Sequence, residues 1–170
     1  MLYPDDAGDE PVKKPGFFAR LFGHKSAEHS KPKTVLEAIS ENDSLDIDKT
    51  WHVLHFLFTG FAWDGGFPAG FLVSCGESVG DVDVGYGPAR SFTPKEVKQI
   101  SEFLTNLDPA AVRSRLNPAQ MQKLEIYPGP WKADEQLEEE WPYFEGGLKT
   151  TIAFVKEAAQ KDLALLVYIS

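Results

Sequence analysis

Apolar positions cluster most densely between Leu45 and Gly60. Ile47, Trp51, Leu54 and Phe58 recur at three-to-four spacing, which places them on one face of a helix, and Val53, Phe56 and Leu57 widen that face until most sides are apolar. The spacing predicts a buried central helix. Carboxylates at Asp46 and Asp48 complement the positive end of a helix dipole, so the helix is expected to start near one of them and to end at Gly60.

Elsewhere the pattern is punctuated by turn residues. Thr34–Ser40 carries Val35, Leu36 and Ile39 at the spacing of a short helix. Phe61 to Gly87 is rich in glycine; Phe67 to Cys75 reads as a short strand or an apolar loop, Glu77 to Tyr86 as an acidic loop, and Pro88 to Phe92 as an extended segment. Thr93-Pro94-Lys95-Glu96 combines an N-cap hydroxyl, proline at the first helical position and glutamate at the third, ahead of Val97, Ile100, Phe103 and Leu104. Asp108-Pro109 and Asn117-Pro118 start two short helices. Asp134 to Gln160 is the longest helical stretch, with Pro142 and Gly146-Gly147 expected to kink or divide it. Leu163 to Ile169 is near-continuously apolar, as a central strand buried on two sides would be. Residues 1–33, broken by Pro4, Pro11, Pro15 and Pro32, read as an irregular arm or insertion, with Phe17 to Phe22 a short amphipathic turn inside it. Residues 34–170 then form a single α+β domain, in which a small, partly buried sheet that includes the C-terminal strand packs with several helices.

Charge changes the picture more than composition does. Of the net −9, residues 34–170 contribute about −10, with eleven Lys/Arg against twenty-one Asp/Glu. A phosphate backbone is repelled by such a domain and a basic protein is attracted, so the partner expected is basic and not a nucleic acid. Phe17–Phe22 is too short to hold a membrane, and no apolar run approaches the ~18 residues that span one. The single cysteine, Cys75, and a start with neither a basic nor an apolar leader region fit a cytoplasmic protein.

The run Leu45-Asp46-Ile47-Asp48-Lys49 with Trp51, then Leu54-His55-Phe56 and Leu57-Phe58-Thr59-Gly60, resembles the signature of the bacterial YfbM-like family, domain of unknown function 1877. Val84 to Arg90, Ile126-Tyr127-Pro128 and the late helix before Leu165-Leu166-Val167-Tyr168 fit it too, so the resemblance covers roughly 34–170. In that family a strand and a helix usually precede a segment like Leu2-Tyr3-Pro4-Asp5-Asp6, so either the start is late here or that first unit is missing from this numbering, and the sheet is expected to be smaller than the family's. The resemblance implies an α+β fold and no defined chemistry; some members of the family act as immunity partners that neutralise secreted toxins.

His52 and His55, three apart on one helix with Asp48 four before His52, have the spacing of a metal or ligand site but lack a further ligand. The plainer role makes His55 a core-edge side chain bonded to a backbone carbonyl, with His52 facing solvent. Cys75 has no basic neighbour to activate it against His55 and reads as a small buried residue. The glycines from Gly76 to Gly87 lack the Gly-Lys-Ser/Thr of a phosphate loop, and Glu77, Asp81 and Asp83, even with Asp64, lack EF-hand spacing. Arg90 is expected to pair with a carboxylate. No cofactor and no catalytic residue follow from these patterns.

The segment with most promise is Asp134, Glu135, Glu138, Glu139 and Glu140 running into Trp141 and Tyr143, because interfaces join aromatic anchors to complementary charge. With Glu77, Asp81 and Asp83 it forms the expected partner-binding set; Trp63 and Trp131 are further anchors. The reading is a non-catalytic acidic domain that binds a basic protein, a nuclease-type secreted toxin being the candidate. The alternative is a small enzyme or metal-binding protein built on Asp48, His52 and His55.

Overall fold

A computed structural model describes residues 17–22, 43–131 and 134–170, with the backbone alone for 17–22 and 134–136. The fold is α+β. One antiparallel sheet of five strands has the order β2-β1-β5-β4-β3, formed by β1 (Phe17–Phe22), β2 (Ser44–Asp46), β3 (Glu77–Asp83), β4 (Pro88–Phe92) and β5 (Ala164–Ile169). The apolar C-terminal strand takes the centre, as its composition predicts. Its side chains alternate between buried and half-buried, so one face meets the core and the other is partly open.

The expected turn at Phe17–Phe22 is instead a strand, paired with β5 from Phe17↔Ile169 to Phe22↔Ala164. The acidic loop expected over Glu77–Tyr86 is mostly the edge strand β3. Both of its faces are exposed, which removes the alternation that would have marked it. The helix expected at Thr34–Ser40 lies outside the described residues, as does the rest of the arm.

Helix α1 (Thr50–Thr59) is the buried organiser that its pattern predicts: every residue from Thr50 to Phe58 is buried. Its start differs from expectation. Asp46 belongs to β2, and Asp48 has φ +44°, with its N–H donating to Asp46 Oδ1 at 2.7 Å. Gly60 closes the helix at φ +80°, a left-handed cap that glycine adopts without strain. Arg115 donates through Nη1 to the last-turn carbonyls of Leu57 and Phe58, at 2.7 and 3.2 Å.

Phe67 to Cys75 contains a 3₁₀ turn (Ala69–Leu72) and no strand. The half-buried Arg90 explains how this loop is fixed: its guanidinium donates to the carbonyls of Leu72 (2.6 Å), Cys75 (2.9 Å) and Phe71 (3.5 Å), so the carboxylate partner expected for it is replaced by backbone.

Helix α2 (Pro94–Thr105) opens with the full capping box: Glu96 N–H donates to Thr93 Oγ1, and the Thr93 N–H donates to Glu96 Oε2. The short helices α3 (Pro109–Arg113) and α4 (Pro118–Lys123) start at Asp108 and Asn117, as expected. Helix α5 (Asp134–Gln160) is one helix and is not divided at Pro142. Leu137, Trp141, Phe144, Leu148, Thr151, Val155 and Ala158 recur at alternating steps of four and three, and all are buried. That stripe carries the helix through the proline, whose cost is one missing backbone donor. Helix α2 lies on β4 and β5, α5 packs against α2, and α1 packs against α5, α3 and the 3₁₀ turn.

Candidate functional site

Two imidazoles on α1 begin the site. Both His52 and His55 are fully buried, which corrects the expectation that His52 faces solvent. Residues three apart on a helix share a face, and both rings point at the loop that follows the helix. His52 Nε2 donates to the Ala62 carbonyl at 2.8 Å, and His55 Nε2 donates to the Asp64 carbonyl at 3.0 Å. The other nitrogen of His52, Nδ1, accepts the Tyr127 N–H at 3.0 Å, which fixes the neutral Nε2–H tautomer. Burial lowers the pKa of both; for His55 it falls to about 4.

The metal reading does not survive this geometry. His52 has both nitrogens engaged with backbone, and Asp48 accepts from the Tyr143 hydroxyl through Oδ2 at 2.9 Å. Asp48 and Tyr143 line a separate groove of about 360 Å³ with Asp46, Gly146, Gly147 and Thr150. Burial and the Asp48 hydrogen bond push the Tyr143 hydroxyl up to about 12. Cys75 Sγ faces the Gly65 carbonyl at 3.4 Å, so it is not paired with His55.

What the histidines do is grip Trp63 from both sides, through the carbonyls before and after it. Trp63 then sits 4.4 Å from His52 and 5.9 Å from the buried Trp51, centroid to centroid. Its outer partner is Tyr86 at 5.9 Å with 20° between the rings, and Tyr86 also touches Trp51 at 5.5 Å. Trp63 is 52% exposed and Tyr86 48%. Tyr86 is held by its own turn. Its N–H donates to the Ile169 carbonyl at 3.2 Å, and Asp83 Oδ1 accepts from the N–H groups of Gly85 and Gly87, which holds the Asp83 carboxyl below its ordinary pKa.

Strand β3 leads into that turn. Glu77, Asp81 and Asp83 are exposed and form no ion pair among the described residues, and Val79 and Val82 are exposed beside them. Between the pairs Ser78↔Arg90 and Asp83↔Pro88 the register shifts, so the middle of β3 holds more residues than the facing part of β4.

The acidic segment of α5 is arranged differently from expectation. Trp141 is buried under the Arg113 guanidinium, 5.6 Å from its ring centroid, because it belongs to the core stripe. Glu138 pairs with Arg113, and Trp131 is buried against the Ile126 carbonyl through its Nε1. Glu139 and Tyr143 are exposed and Glu140 half-buried; the side chains of Asp134 and Glu135 lie outside the description. The exposed aromatic pair at Trp63 and Tyr86 is therefore the feature that sequence underweighted. Tyr86 lies 23 positions from Trp63, and only the fold stacks them.

Over residues 20–168 the sequence matches the family described as a domain of unknown function, DUF1877. Among solved structures, the crystal structure of YfbM from Escherichia coli, a protein of unknown function, is similar with a TM-score of 0.66 and 22% sequence identity, covering 92% of this chain and 100% of that one. At that identity the likeness is one of fold. No curated protein matches the chain. No helix of the described residues is long and apolar enough to cross a membrane.

Proposed function

This chain belongs to the DUF1877 family of unknown function, and from that premise we propose that it is a non-catalytic acidic domain that binds a basic protein. A secreted, nuclease-type toxin is the partner class we infer, with this chain as its cytoplasmic immunity protein. The observation that carries the reading is the juxtaposition at one end of the sheet. Asp81 and Asp83, exposed and without an ion pair among the described residues, precede Tyr86 on the β3–β4 hairpin, where Tyr86 stacks on Trp63, and Glu77 is exposed at the other end of the same strand. Elsewhere in the chain Glu138 is matched by Arg113 and Glu157 by Lys161. Glu77 and Asp81 have no such match among the described residues, and a toxin that binds nucleic acid presents a cationic cleft of the opposite sign. Glu139 is a further exposed carboxylate, on α5.

The test is capture from native lysate on the immobilised chain, followed by a salt gradient. A basic protein that leaves the column as ionic strength rises is the expected result, because exposed charge pairs are screened beyond a Debye length of about 8 Å at physiological salt. An eluate without any basic protein overturns the reading.

A further inference from the structure

Resting on that reading, we propose that the stacked pair Trp63–Tyr86 is the seat for an arginine side chain of the basic partner. The pair is both exposed and fixed. Contiguous exposed aromatic surface marks interaction sites more than scattered single side chains do, and here the surrounding structure holds the two rings in place. The carbonyls on either side of Trp63 are gripped by His52 and His55, while Tyr86 is pinned through its N–H to β5. Against both rings lies the buried Trp51, and against Trp63 also His52. His52 is neutral in the neutral range, so no cation under Trp63 opposes one above it. A surface already in its bound arrangement loses little freedom on binding.

Charge selects the occupant. Asp64 adjoins Trp63 in sequence, and Asp81 and Asp83 precede Tyr86 on the same hairpin. Asp83 Oδ1 is engaged by the turn, and Asp64 Oδ1 accepts the Gly65 N–H at 2.7 Å; the second oxygen of each carboxylate makes no hydrogen bond among the described residues. A second copy would set these carboxylates against their own kind, and the register irregularity of β3 blunts pairing along the edge. Guanidinium is favoured over ammonium because it is planar, weakly hydrated, stacks on aromatic faces and takes carboxylates with a fork of donors.

The experiment uses the intact chain and two labelled peptides, nona-arginine and nona-lysine, with affinity read by fluorescence anisotropy. Nona-arginine is expected to bind more tightly by roughly 3- to 30-fold, the range of an aromatic–cation contact. Trp63→Leu and Tyr86→Leu should each bring that ratio towards one while leaving nona-lysine unchanged. Trp63→Phe should retain most of it, and Phe61→Leu, at a residue 57% exposed in the same loop but outside the stack, should retain all of it. Asp81→Asn should weaken both peptides together. Thermal melts confirm that each variant is folded. Equal binding of the two peptides to the unaltered chain, a ratio insensitive to both Trp63 and Tyr86, or no binding of either peptide overturns the seat. The first two results leave the basic-partner reading standing, because it needs charge alone; failure to capture any basic protein removes the reading itself.

Discussion

His52 and His55 carry their protons at Nε2 and are held neutral by burial, and that has a consequence for stability. In the unfolded chain each takes up a second proton near its ordinary pKa of 6.5; in the folded chain uptake is delayed, for His55 to about 4. Between those values the unfolded state binds more protons, so stability falls as pH falls through the window from 6.5 to about 4 and is fully present above it. For His55 the loss approaches about 3 kcal/mol at the acid end. Urea unfolding midpoints measured from pH 7 to pH 4 should show it. His55→Gln, which keeps a donor for the Asp64 carbonyl, should flatten the dependence; an unchanged slope would contradict this account. The three-residue spacing of the two imidazoles and a backbone carbonyl partner for His55 were legible in the sequence, but His52 was set towards solvent, whereas the fold buries it. Which carbonyls they meet was not legible, since those of Ala62 and Asp64 reach them only through the path of the loop after Gly60.

At the scale of elements, α5 shows how packing overrides local rules. Sequence rules divide it at Pro142 and Gly146-Gly147, yet its buried stripe is continuous. The two glycines have separate roles. A Cβ on Gly147 would lie 2.5 Å from Thr50 Oγ1, so this glycine permits the close approach of α5 to α1. One on Gly146 would meet nothing within 4 Å. Gly147→Ala should therefore destabilise by about 1–3 kcal/mol through overpacking, and Gly146→Ala should stabilise by about 0.5–1 kcal/mol through helix propensity, both read from urea midpoints. Arg90→Lys should cost about 2–3 kcal/mol, because one ammonium cannot serve the separated carbonyls of Leu72 and Cys75 as a forked guanidinium does. The elements with strong local signals were legible: the α1 stripe, the Thr93 capping box, the Asp108 and Asn117 starts and the apolar C-terminal strand. Strands β1 and β3 were not. Phe17–Phe22 takes its form from pairing with the far end of the chain, and β3 is an exposed edge interrupted by Gly80 and acidic residues.

For the whole molecule, the family and the α+β fold were legible from the Leu45–Gly60 motif and the order of elements, and both likenesses to known proteins agree with them. The acidic balance was equally plain, but composition does not say where charge is left unpaired. Trp141 looked like an anchor because aromatics beside carboxylates read alike in a sequence whether they face solvent or core; the four-and-three stripe of α5 turns it inward. The exposed stacked pair is Trp63–Tyr86, and the carboxylates of β3, which leads to Tyr86, form no ion pair among the described residues. If these form the working surface, reversing charge there should abolish capture of a basic partner while sparing the fold, since Glu77 and Asp81 are exposed. The most direct measurement is therefore capture from native lysate by the unaltered chain beside Glu77→Lys/Asp81→Lys, at matched protein and low salt. A basic protein retained by the first and lost, by about tenfold or more, from the second is the result predicted; equal retention by both would contradict the claim that this end of the sheet is where the chain does its work.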